Sequence, residues 1–128
     1  MYTRYQFRPF IENQALDILQ PDVGLAGGPT EVKRIAEFGE VYNLAVQPHN
    51  CGGPLSTAAC VQVDASINNF VIQEWFPYRN DLFYSIVEDA LEPKVFNSHY
   101  TIPDTPGLGI TLNEAEIKKY RVDHLVAG

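Results

Sequence analysis

Three residues able to move protons recur at nearly even spacing: Asp22, His49 and Glu74, separated by 27 and then 25 positions. An Asp beside a His holds the imidazole in one tautomer and raises its proton affinity, which makes a base that works near neutral pH. A partly buried Glu can stay protonated and donate a hydrogen bond to a developing oxyanion. Each residue also has a plainer reading: Asp22 as a turn cap, His49 as a satisfied loop histidine, Glu74 as a surface charge. As a metal set the trio is weak, because one His with two carboxylates lacks the second His of the usual facial triad. A shared acid/base site is favoured because each residue ends the same kind of segment.

Those segments form an internal repeat. Ile18-Leu19-Gln20-Pro21-Asp22 is followed by Gly27-Gly28-Pro29 and a helical stretch, and Leu44-Ala45-Val46-Gln47-Pro48-His49 by Gly52-Gly53-Pro54 and another. Phe70-Val71-Ile72-Gln73-Glu74 opens a third unit. The period is that of a strand, loop, helix and return, the βαβ crossover. The apolar runs are continuous rather than alternating, as in a parallel sheet covered on both faces. In such a sheet the loops at the C-terminal strand ends build the site. Gly28 and Gly53 stand at cap positions, with Pro29 and Pro54 as the first helical residues, where a missing N–H costs nothing. In the first of these helices Val32, Ile35, Ala36 and Gly39 share a stripe, with Glu31, Lys33, Arg34 and Glu40 mostly off it. Gly39 would let this helix lie close on the sheet. The Ala- and Ser-rich second helix, Leu55 to Ile67, suits close packing.

Ahead of the first strand, Thr3 to Ala15 reads as a helix burying Phe7, Phe10, Ile11 and Ala15 or Leu16, with Pro9 weakening its middle. Beyond Glu74 the pattern changes to an aromatic loop, Trp75 to Asn80, then a stretch from Asp81 to Leu91 that is open between helix and irregular structure. Val95-Phe96 and Tyr100-Thr101-Ile102 read as short strands around a turn at Asn97-Ser98. Pro103 to Gly109 reads as a fixed loop, and Asn113 as the cap of a last helix, Glu114 to Tyr120.

The whole chain has 128 residues, 45% hydrophobic and 12% aromatic, which suits one domain with a core and excludes a disordered chain. Its formal charge of −7 argues against nucleic acid and against an anionic membrane surface. No apolar run is long enough to span a bilayer, Met1 to Gln6 lacks the apolar core of a signal peptide, and two cysteines that form no disulfide framework make a reducing cytoplasm the expected compartment. Cys51 and Cys60 match no zinc or redox spacing. Cys60 reads as an inert buried thiol. Cys51 stands near His49, where a Cys–His nucleophilic pair lacks an evident orienting third group. Gly24-Leu25-Ala26-Gly27-Gly28 before a helix is either a turn or a phosphate cradle; it has neither the dinucleotide glycine order nor a P-loop Lys. His99 and His124 have no partner in sequence and read as solvent-facing or structural.

Residues 20–24 with Gly27-Gly28, Pro48-His49-Asn50 with Gly53-Pro54, and Asn69-Phe70 with Gln73-Glu74 resemble the ends of the sixth, seventh and eighth barrel strands of the enolase superfamily. Pro106-Gly107-Leu108-Gly109 resembles the segment by which such chains return toward their capping domain. The likeness is to the mandelate racemase and muconate lactonizing enzyme group, and particularly to acid-sugar dehydratases. It implies an α/β fold: about strands 6–8, the C-terminal part of a (β/α)7β TIM-like barrel, over residues 1–80. Residues 81–128 would form a loop and short-strand extension returning to a capping domain.

The resemblance further implies proton abstraction α to a carboxylate, with His49 as general base, Asp22 as its dyad partner, and Glu74 as donor to the substrate carboxylate or enediolate. Mg²⁺ would stabilise the enediolate, and a small acid sugar would be the substrate. A dehydratase is the first expectation, with a racemase or cycloisomerase as alternative. A complete barrel needs roughly 250 residues, so the family's metal carboxylates on strands three to five, its second acid/base and its capping domain would precede Met1. The chain alone is then expected to be inactive, and to self-associate or to be complemented by the missing barrel half. From another class, a free-standing flavodoxin-like module holding phosphate at Gly27-Gly28 remains open, as does an interaction protein derived from the barrel.

Overall fold

The computed structural model describes residues 1–76 and 81–121. Its elements are α1 (Thr3–Glu12), β1 (Ile18–Leu19), α2 (Val23–Ala26), α3 (Pro29–Val41), β2 (Ala45–Val46), α4 (Pro54–Asp64), α5 (Asp81–Ser85), a 3-10 turn (Glu92–Lys94) and α6 (Glu114–Lys119). β1 and β2 pair in parallel, with Ile18 opposite Ala45 and Leu19 opposite Val46. Two isolated parallel bridges extend the sheet, Asp22 with His49 and Val46 with Phe70. The third segment is anchored by amide bonds from Val46 to Asn69 O (2.8 Å) and from Val71 to Val46 O (3.0 Å). The full third strand expected over residues 70–74 is therefore a single bridge here, and Ile72 to Glu74 run on outside any ladder.

The order of these segments follows the sequence, β1, β2, then Phe70, each step a parallel crossover. A flavodoxin-like sheet reverses at its switch point and sets its third strand against the first. The observed order, with the third segment beside β2, is not that of the first three strands of a flavodoxin-like sheet and suits a barrel wall.

The core lies between sheet and helices. α1 contributes Phe7 and Ile11, β1 Leu19, α3 Val32, Ile35 and Ala36, β2 Val46, and α4 Ala59, Cys60 and Val63. Gly39 allows α3 to lie on β1, since a Cβ there would stand 2.6 Å from Leu19 Cδ1. α4 is buried on a second side as well. Ala58 and Val61 pack with Leu91, Tyr100, Leu108 and Ile110, which binds the C-terminal extension to the helical layer. Burial on two sides explains a helix made of small apolar residues almost all round.

Several expected details change. α1 stops at Glu12, and Phe10 is exposed while Phe7 and Ile11 are buried. α4 ends at Asp64, three residues short of the expected Ile67. Glu31, placed off the apolar stripe, is buried: its carboxylate accepts from the Arg4 amide (2.8 Å) and guanidinium (2.5 Å), fastening α3 to α1. The strands expected at 95–96 and 100–102 reduce to one antiparallel bridge, Phe96 with His99, across a turn in which Asn97 and Ser98 both have positive φ. Asn113 caps α6 as expected, accepting from the Glu116 amide. The loop residues after Phe76 up to Asn80, and His124, lie outside the described residues.

Candidate active site

Asp22 ends the β1 segment and begins a short helix that sequence reading missed. One carboxylate oxygen, Oδ1, accepts from the Leu25 amide (3.0 Å) and caps α2. Gly27 and Gly28, both at positive φ, then turn the chain into α3 within two residues. The glycine cluster is thus a helix–turn–helix joint. In the first turn of α3 the buried Glu31 carboxylate is already paired with Arg4 and Arg34, so both nearby cations are engaged within the chain.

Oδ2 of Asp22 is 2.8 Å from His49 Nδ1. The bridge between the two backbones, with the His49 amide bonded to Pro21 O (3.2 Å), fixes this register. Asp22 thus caps a turn with one oxygen and contacts the His49 ring with the other. With Nδ1–H directed at a carboxylate, the Nε2 lone pair is the atom left to accept a proton. Nε2 lies 3.9 Å from Glu74 Oε2, and the His49 side chain is 42% exposed, so the face between them is open to a small ligand.

Glu74 is positioned by a residue absent from the expected set. The Asn50 amide donates to Glu74 Oε2 at 2.6 Å, while Asn50 Nδ2 donates to Thr57 Oγ1 at 2.9 Å. Asn50 and Thr57 are both buried, so the first turn of α4 holds the loop that holds the glutamate. Oε2 is thus engaged as an acceptor. The signal for Asn50 was present in sequence, a polar residue directly after the His at a strand end, but its partners are 7 and 24 positions away.

The structure brings Asp22, His49 and Glu74 together as one row across three successive segments. Cys51 joins them: one donor atom from each of His49, Cys51 and Glu74 lies within 4.8 Å of the other two. The third group missing from the Cys–His reading is in fact Asp22. Asp22 itself stands behind the imidazole with both oxygens engaged, away from the open face. Cys60 is buried, and burial with nearby carboxylates pushes its thiol up to about 12, which keeps it inert. His99 is exposed, with Nδ1 2.6 Å from Asn97 O within its own turn.

Comparison with known proteins gives a consistent picture. The family model for enolase C-terminal domain-like proteins matches residues 1–116. The chain is 33% identical over 123 residues to the D-xylonate dehydratase of Haloferax volcanii, covering 96% of this chain and 29% of that protein. It is 36% identical over 124 residues to the D-galactonate dehydratase of Variovorax paradoxus, covering 91% of this chain and 32% of that one. Among solved structures, a member of the enolase superfamily from Salmonella Typhimurium superposes with a TM-score of 0.86 at 39% identity, covering 92% of this chain and 30% of the other. The chain thus spans less than a third of each of these relatives. Among the described residues no helix is long and apolar enough to cross a membrane.

Proposed function

Since the chain belongs to the enolase C-terminal domain-like family, we propose that it supplies the proton-transfer wall of an acid-sugar dehydratase acting in the cytoplasm, over strands corresponding to about the sixth to eighth of the barrel. The single observation that carries this reading is the His49–Asp22 pair facing Glu74 across the strand ends. In it His49 Nε2 takes the proton α to the substrate carboxylate. Asp22 on Nδ1 stabilises the imidazolium that results. Glu74, held by Asn50, donates to the oxygen on which charge develops. The β-hydroxyl then leaves as water, taking the proton from the His49 imidazolium as the enediolate electrons form the new carbon–carbon double bond. A racemase or cycloisomerase would use the same first step, but the names of the curated relatives favour dehydration.

Enolase-superfamily sites combine such a base with Mg²⁺. The described residues do not fit that ion: their clustered donors are one imidazole, one thiol and one carboxylate, whereas Mg²⁺ demands six oxygens in near-ideal octahedral array. Every step above is accordingly carried by side chains of this chain. Residues 1–80 form the barrel wall in this reading, and 81–128 the extension that leads back to a capping domain. Val71 and Ile72 are more than half exposed along the open third segment, beside a cavity of about 830 Å³ lined mainly by apolar groups. Such a surface favours self-association or complementation by the remaining barrel.

The test is a chimera in which this chain replaces the matching segment of the Variovorax D-galactonate dehydratase. Dehydration of D-galactonate is expected, falling at least about 10³-fold in His49→Gln. A His49→Gln chimera within tenfold of its parent would overturn the assignment. Mg²⁺-dependent turnover by the 128-residue chain alone would overturn the division of labour.

A further inference from the structure

The open face of the site carries a donor set that suits a different cation from the one the family uses. We propose that His49, Cys51 and Glu74 form a three-ligand site for a soft or borderline divalent transition metal, Zn²⁺ above all, which blocks the base when occupied.

The donor atoms lie within 4.8 Å of one another, and His49 Nε2 is 3.9 Å from Glu74 Oε2. Bond lengths of roughly 2.0–2.3 Å in a tetrahedral zinc site place ligand atoms about 3.3–3.8 Å apart. The closure required is about 1.5 Å at most, within reach of a rotation of the exposed Cys51 side chain. Nitrogen, thiolate and a single carboxylate select Zn²⁺ over Mg²⁺ by softness.

A second observation is independent of the donor cluster. The Asp22 carboxylate on His49 Nδ1, at 2.8 Å, is the outer partner that metal-binding histidines commonly have; it fixes the ring and presents Nε2 as a ligand. Glu74 is likewise held, by the Asn50 amide. Three protein ligands leave a fourth position for water or for a substrate oxygen. On binding, the Cys51 thiol loses its proton to solvent and bonds as thiolate. The Nε2 lone pair that would take a substrate proton is then bound to metal. The binding does not depend on the dehydratase reading, and its readouts involve no turnover.

Co²⁺ is the spectroscopic probe. Titration of the 128-residue chain under reducing conditions should give near-ultraviolet sulfur-to-cobalt charge transfer and tetrahedral visible bands saturating at one equivalent. One equivalent of Zn²⁺ should abolish both, and millimolar Mg²⁺ should leave them unchanged. Cys51→Ser should remove the charge-transfer band, and His49→Gln or Glu74→Gln should weaken binding at least tenfold. In the unmodified chain Zn²⁺ should slow alkylation of Cys51 at least tenfold, a measurement that needs no variant to fold. A missing sulfur band, a band that survives Cys51→Ser, or an unprotected Cys51 would each overturn the proposal.

Discussion

Asp64 offers the most quantitative test of the packing. It closes α4, where the negative end of the helix disfavours a carboxylate, and it lines the apolar cavity beside Val61, Phe70, Val71 and Trp75. Oδ1 is buried without a hydrogen-bond partner. Burial pushes the carboxyl from 3.8 up to about 7. The folded protein thus holds the Asp64 proton more tightly than the unfolded chain does. Stability is undiminished by this group below the unfolded value of 3.8, falls as pH rises from there toward 7, and is level above.

A shift of about three units corresponds to roughly 4 kcal/mol if taken whole. Solvent access to the half-buried side chain reduces this to roughly 3 kcal/mol. About a third of that, ~1 kcal/mol, develops between pH 5.5 and 8, equivalent to ~3–4 °C in melting temperature for a chain of this size. Asp64→Asn removes the ionisation and keeps the shape. Thermal unfolding of both proteins at pH 5.5 and 8, at fixed ionic strength, should show the variant's advantage widening by ~3–4 °C at the higher pH. An advantage that is equal at both values, or larger at pH 5.5, would refute the argument that this carboxyl is buried without compensation.

Two further substitutions probe how the wall is assembled. Gly39→Ala drives a methyl against Leu19 Cδ1 and should cost about 1–3 kcal/mol in urea unfolding, part of which Leu19→Ala in the same chain should relieve. Arg4→Ala leaves the buried Glu31 with Arg34 at 3.7 Å as its remaining ion partner, and should lower stability by roughly 1–3 kcal/mol, measured as a lower urea midpoint.

What could be read from sequence, and what could not, divides along the range of the interactions. The 25- and 27-residue spacing located Asp22, His49 and Glu74 because strand ends in a βαβ repeat fall in register, and the α3 stripe of Val32, Ile35, Ala36 and Gly39 followed from helical period alone. Glu31 was misplaced because its burial comes from Arg4, 27 positions away, and no local pattern reports a distant cation. α2 was hidden because a four-residue helix that itself contains Gly24 has no period to detect. The third strand shrank to one bridge because apolar composition marks a segment fit for a sheet without saying whether a neighbour supplies the second ladder. Cys51 and Asn50 were visible as residues, but their convergence with Glu74 depends on the loop between β2 and α4, where turn chemistry rather than hydropathy sets direction.

The divided duty of Asp22 narrows what evolution can place there. Its two oxygens answer to different masters: one caps the start of a helix, the other orients an imidazole. Asn at this position would preserve the cap but offer the ring a neutral amide in place of a charge. Glu would preserve the charge while its extra methylene carries the carboxylate out of reach of the Leu25 amide. Ser would serve the cap alone. In the proposed function, local fold and proton chemistry therefore rest on one side chain, and the α2 turn is tied to a requirement that originates across the sheet.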